Sequence, residues 1–184
     1  PQVILPTQAA VTEAPPEETA ESGDALEITP DTVQTAVGLL SRAESYSRTL
    51  TVERLWDGGS QTRGISVWVR GGSVRISEDA EQGGRNVLIA GGEMWIWYAG
   101  EDGVFHAAAD ENAADEYQEL DSYETLLGLD RSQILDAGYD EYAGEYCIFA
   151  EYVSGSFGYT TRVWISVATG LLMRGETWDG DTMI

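Results

Sequence analysis

Residues 67–76 read Val67-Trp68-Val69-Arg70-Gly71-Gly72-Ser73-Val74-Arg75-Ile76, and residues 86–98 read Asn86-Val87-Leu88-Ile89-Ala90-Gly91-Gly92-Glu93-Met94-Trp95-Ile96-Trp97-Tyr98. A Gly-Gly pair supports the two-residue turn with positive φ whose twist matches that of paired strands. Folding back at Gly71-Gly72 sets Val69 opposite Val74, Val67 opposite Ile76 and Trp68 opposite Arg75. Folding back at Gly91-Gly92 sets Ile89 opposite Met94, Val87 opposite Ile96, Leu88 opposite Trp95 and Asn86 opposite Trp97. Strand side chains alternate between faces, so this register gathers the aliphatic residues on one face and the indoles on the other. A slip of one residue would mix them, so the sorting of both hairpins supports the register. The same reasoning carried through Glu101-Asp102 predicts Tyr98 opposite Phe105 and Trp97 opposite His106.

Outward from these hairpins, Gly58-Gly59 and the Gly100–Gly103 stretch mark further turns. Upstream, Thr29-Pro30-Asp31 opens a helix: Thr29 suits the N-cap, Pro30 needs no N–H at the first position, and Asp31 faces the positive helix end. Val33, Ala36, Val37, Leu40 and Ala43 form its apolar stripe. Downstream, Asp121 with Glu124 and Asp130 with Gln133 have capping-box spacing, predicting two short helices through Leu126-Leu127 and Ile134-Leu135, with Gly138 as a stop. Strands resume over 145–153, 159–167 and 171–178. The Ala168-Thr169-Gly170 loop places Trp164 beside Arg174, and Asp179-Gly180 is a last turn signal. The expected fold is α+β, mainly antiparallel β. Roughly ten sequential strands form a meander that curls strongly into an incomplete barrel, covered by the N-terminal helix and the inserted helical pair.

The chain has 184 residues with ten Arg, no Lys and 32 acidic side chains, a formal charge of -22. Too little cation is present to neutralise phosphates, which excludes nucleic acid as an expected partner, and the same charge opposes adsorption to anionic lipid. The acids concentrate in residues 1–30, with six and no base, and in 110–153, with thirteen against Arg131 alone. Both read as solvated surface; an EF-hand calcium loop is not written in Asp110–Asp121. One Cys and one His exclude an internal disulfide and the usual Cys/His zinc sites within one chain, and Cys147, in an alternating apolar run, reads as a small buried group. No apolar run is long enough for a transmembrane helix, and no cofactor is expected.

Residues 1–28 are rich in Pro, Thr, Ala and Glu and hold no aromatic, so they read as a disordered acidic tether, with the folded domain over 29–184. A chain that begins without Met behind such a spacer is expected to follow a removed upstream segment. The expectation is an extracytoplasmic domain of the bacterial cell envelope, held to the membrane only by an N-terminal lipid anchor on a Cys outside this sequence.

Three stretches carry a family resemblance: Ser73-Val74-Arg75-Ile76, Gly91-Gly92-Glu93-Met94-Trp95-Ile96-Trp97-Tyr98 and Val163-Trp164-Ile165-Ser166-Val167-Ala168-Thr169-Gly170-Leu171-Leu172. They resemble the LolA-like fold of periplasmic lipoprotein carriers and related envelope sensors, over roughly residues 30–184. The resemblance implies an incomplete barrel around an apolar cavity closed by helices, with acyl chains bound inside. It also implies that Ile76 faces inward after its Arg. The chain ends at Ile184, where the carriers add further strands, and its spacer suits a tethered protein better than a diffusing shuttle.

Two candidate surfaces follow. The aliphatic face comprises Val67, Val69, Val74, Ile76, Val87, Ile89, Met94 and Ile96. It is either core filled by Val33, Val37 and Leu40 of the helix, or a site for a lipid or a lipidated protein partner. The indole face comprises Trp68, Trp95, Trp97 and Trp164 with Arg75 and Arg174. It is either a set of Arg-over-Trp cross-strand pairs or a docking surface for an envelope protein or carbohydrate. No phosphate loop, nucleophile elbow or Ser-His-Asp order is present, and with so many acids a spaced carboxylate pair discriminates nothing, so no enzymatic activity is expected.

Overall fold

The computed structural model describes residues 27–79, 83–110, 114, 117–118, 123–155 and 157–184. Most of the tether falls outside them. Ile28, placed by composition at the tether's end, is instead buried among core residues.

Helix α1 (Val33–Gly38) follows a turn in which the Val33 N–H donates to the Thr29 carbonyl at 2.9 Å. It is shorter than its stripe foretold: Val33, Ala36 and Val37 are buried, whereas Ala43 is exposed. Then come β1 (Ser45–Trp56), β2 (Gly59–Arg70), β3 (Ser73–Asp79), β4 (Arg85–Ala90), β5 (Glu93–Tyr98) and β6 (Val104–Ala108). Helix α2 (Tyr123–Leu127) and a 3-10 turn (Arg131–Gln133) lead to β7 (Ile134–Tyr142), β8 (Glu145–Ser154), β9 (Tyr159–Ser166), β10 (Leu172–Asp179) and the two-residue β11 (Thr182–Met183).

The protein is mostly antiparallel β with little helix, and the hairpin registers around Gly71-Gly72 and Gly91-Gly92 are those predicted. Three expectations need correction. The strands do not form one curled meander: β1–β6 make a six-stranded sheet, β7–β11 a five-stranded one, and neither is strongly curled or closed. The second inserted helix is a single 3-10 turn. The Asp130 N–H does donate to Gln133 Oε1 at 2.9 Å, but Ile134 and Leu135 then enter β7, and Gly138 lies inside that strand. The β5–β6 turn is centred earlier than Glu101-Asp102, at Gly100 with φ 86°, so Trp95 faces His106 and Trp97 faces Val104. The Glu101 N–H closes the turn on the Tyr98 carbonyl at 3.2 Å, and its positive φ falls on Gly100, a conformation that glycine adopts and that Glu101 and Asp102 resist.

Each sheet has its own core. Ile65, Val67, Val74, Ile76, Val87, Ile89 and Met94 fill one; Val33, Val37, Leu126, Ile134, Ile148, Ala150, Tyr152, Val163 and Ile165 fill the other. Helix α1 therefore covers the five-stranded sheet and not the predicted aliphatic face. Its Gln34 amide fastens it to α2, donating to the carbonyls of Leu126 at 3.0 Å and Leu129 at 2.9 Å. Leu126 lies in the last turn of α2 and Leu129 just beyond it. Arg131 Nε donates to Asp31 Oδ1 across the same junction.

Candidate functional site

The eight residues predicted for the aliphatic face share one side of the first sheet. Val67, Ile76 and Val87 are fully buried, Val74, Ile89 and Met94 nearly so, and Val69 and Ile96 pack partly buried beside them. Burying each such side chain stabilises the fold by about 1.5–3 kcal/mol relative to exposure. Packed against them are Leu50 and Val52 of β1 and Ala107 of β6 within the same sheet, and Ala109, Ala114 and Tyr117 beyond its last strand. Tyr117 is held from the sheet: the Arg85 guanidinium lies 5.4 Å from its ring centroid and donates to its carbonyl at 3.2 Å. Arg48 donates to Gln118, whose amide donates to the Ala114 carbonyl at 2.8 Å. The acidic segment thus supplies part of the cover over this core.

The indole residues do not form one surface. Trp68, Arg75, Trp95 and Trp97 lie on the outer side of the first sheet, where Trp68, Arg75, Leu88, Trp95 and His106 follow one another from strand to strand. Arg75 sits over Trp68 at 5.6 Å, and His106 Nε2 lies 2.7 Å from Glu93. Trp164 and Arg174 belong to the outer side of the second sheet, facing each other across β9 and β10 as predicted.

There they line a groove of about 550 Å³ that sequence reasoning did not assemble. Strand β7 contributes Asp136, Gly138 and Asp140, whose cross-strand neighbours on β8 are Glu151, Phe149 and Cys147. Arg162 and Trp164 of β9 and Arg174 and Glu176 of β10 complete the lining, with Tyr139 at the rim. Trp164 tilts on Phe149 with centroids 5.1 Å apart. Arg174 lies 5.2 Å from the Trp164 ring and 5.3 Å from Tyr142, and Arg162 lies 4.7 Å from Trp178. Both guanidiniums are also ion-paired, Arg162 donating to Glu151 and Arg174 to Glu176. The result is a ladder of alternating cations, rings and carboxylates, each fixing its neighbour.

Asp140 is the most determined carboxylate in the groove. Trp164 Nε1 donates to its Oδ2 at 2.7 Å and the Glu141 N–H donates to its Oδ1 at 2.8 Å. These two donors, the indole first, hold its carboxyl below the ordinary range. A general acid needs the opposite shift, so Asp140 is built to stay ionised. Cys147, on the same face, is buried, and burial pushes its thiol upward, away from nucleophilic character.

Among the described residues no cluster of His, Cys, Asp and Glu is arranged to hold a metal ion, and no helix is long and apolar enough to cross a membrane. Compared with known protein families and with curated proteins, the chain matches none.

Proposed function

We propose that this chain is a non-enzymatic, extracytoplasmic protein-interaction module that works through the outer face of its second sheet. The observation that carries the reading is the groove itself: an open depression in which Phe149 and Trp164, with Tyr142 beside them, are flanked by ion-paired arginines. Aromatic and Arg side chains dominate the binding energy of protein interfaces, and prior fixing of their rotamers lowers the entropy lost on docking. The acidic, Pro-rich N-terminal stretch supports a tethered position in a cell envelope. Photocrosslinkers placed at Tyr142, which shares the groove face with Trp164 and Arg174, and at Trp97 test the assignment in cells. A discrete protein adduct from position 142 that Trp164→Ala abolishes supports it, and no discrete adduct from that position overturns it.

A second reading places an acyl chain or a lipidated partner on the aliphatic side of the first sheet, as the resemblance to LolA-like proteins implies. It is favoured by the small residues that the segment after β6 packs against this core, since Ala109 and Ala114 carry only methyl groups. It requires that cover to lift. Lipid adducts from a crosslinker at Ile96 would support it.

A further inference from the structure

Resting on the reading of the groove as an interaction surface, we infer that its occupant is a basic, extended segment of a partner protein, with a Lys or Arg side chain seated over Gly138 between Asp136 and Asp140. The slot is a feature of β7. Asp136, Gly138 and Asp140 alternate onto the same face, and the ring opposite the glycine is Phe149. Gly138 has ordinary strand φ, and a Cβ built on it meets no atom within 4 Å, so neither backbone conformation nor crowding demands glycine there. Glycine inside a strand weakens it and often marks a place where something else approaches closely. Here the missing side chain leaves a gap over Phe149, bounded along the strand by one carboxylate on each side.

Charge decides what fits the gap. Four carboxylates and two arginines line the groove, and each arginine is paired with a glutamate, Arg162 with Glu151 and Arg174 with Glu176. Asp136 and Asp140 are the remaining two. Their contacts are neutral donors: the Ala137 N–H at 2.8 Å for Asp136, the Glu141 N–H and the Trp164 indole for Asp140. Neither is paired with an arginine among the described residues, within a chain of net charge -22 that contains no Lys to reach into the slot. An ammonium or guanidinium placed over Gly138 would lie beside Phe149, its cross-strand neighbour, and between two carboxylates, so an aromatic side chain and charge attract the same group. An anionic segment is repelled there. The groove is open rather than enclosed, and strand positions two apart are separated by roughly 6.6 Å. An extended segment with cations at alternate positions therefore matches the spacing of Asp136, Gly138 and Asp140.

Titrating the full chain with a short peptide carrying Lys at alternate positions, and with its Glu and Gln counterparts, tests this by amide and indole chemical shifts. The expected result is a Lys-peptide response centred on Gly138, Phe149 and the Trp164 indole, falling as salt is raised. It should be at least about tenfold weaker in Gly138→Val, which fills the slot, and in Asp140→Asn, which removes one charge. Unchanged near-ultraviolet dichroism certifies the fold of both variants. A Lys-peptide response that survives both substitutions is general attraction to an acidic surface and overturns the inference. So does equal binding of the Gln peptide in the groove, although the interaction reading then stands. No response from the groove to any peptide, together with no crosslinked adduct at position 142, overturns both.

Discussion

Trp95 lies face to face on His106, ring centroids 5.1 Å apart and planes 8° from parallel. The two are direct cross-strand partners on β5 and β6, and His106 in turn reaches the Glu93 carboxylate. The pair clamps the outer edge of the first sheet and records the register of its last hairpin.

That contact has a measurable worth. Aromatic cross-strand pairs contribute about 0.5–1.5 kcal/mol beyond area burial. His106→Ala should lower the urea unfolding free energy by about that amount, and a double-mutant cycle with Trp95→Ala should recover most of it as coupling. The corresponding cycle between His106 and Trp97 should show almost none, because Trp97 faces Val104. Coupling to Trp97 and not to Trp95 would mean that the hairpin is paired two residues away from the register described.

The two cores should fail independently. Ile76→Ala and Ile165→Ala each empty a fully buried site and should each cost about 2–5 kcal/mol. The sites share no core cluster, so the costs should add in the double variant. Delipidated protein should take up no fluorescent fatty acid while the first core stays filled. Uptake that displaces the residues covering Val67 and Val87 would revive the lipid reading.

Backbone handedness gives a pair of opposite predictions. Ala143 occupies the β7–β8 turn with φ 53°, a region that costs an L-residue about 1–2 kcal/mol. Ala143→Gly should therefore stabilise by about 0.5–1 kcal/mol after glycine's own entropic cost. Gly170 sits in the β9–β10 turn with φ 64°, and a Cβ there would stand 3.1 Å from the Ser41 carbonyl oxygen. Gly170→Ala should destabilise by about 1–3 kcal/mol. Thermal unfolding midpoints should move in opposite directions for the two variants.

Asp140 contributes to the acid dependence. Its folded carboxyl titrates below the ordinary 3.8, the Trp164 indole being the main cause. A depressed carboxyl lends stability that is fully present above its unfolded value and is lost as the pH falls through the folded one. The wild type should therefore lose stability on acidification in a step that Asp140→Asn lacks, the two curves converging below the folded value. Chemical denaturation from neutral to acid pH would show this. Parallel curves throughout would mean that the indole does not favour the ionised form.

Much of this was legible where glycine and side-chain alternation agreed. Gly71-Gly72 and Gly91-Gly92 specify positive φ at both turn centres, so the registers of β2 through β5 and the burial of Val67, Ile76 and Val87 could be read residue by residue. Trp164 beside Arg174 followed from Gly170 in the same way. The groove was not legible, because β7 was hidden behind a genuine helical signal. Asp130 and Gln133 do make a capping contact, but it closes one 3-10 turn, and tertiary pairing with β8 then claims Ile134–Tyr142. A helix that stops at Gly138 separates Asp136 from Asp140, so the sequence does not place Asp136, Gly138 and Asp140 on a common face, nor Phe149, Glu151 and Arg162 beside them. Ala143-Gly144, taken as a turn, was the available signal. The destination of α1 was equally hidden: an apolar stripe says that it must be covered, not by which sheet.

The break between β6 and β7 leaves no backbone ladder running from one sheet to the other among the described residues. Amide hydrogens should accordingly exchange with solvent in two protected sets, one around Val67 and Val87 and one around Ala150 and Val163. A partner gripping the second sheet would slow exchange in its own set and leave the other untouched. The molecule thus carries an internal reference against which occupancy of either surface can be timed.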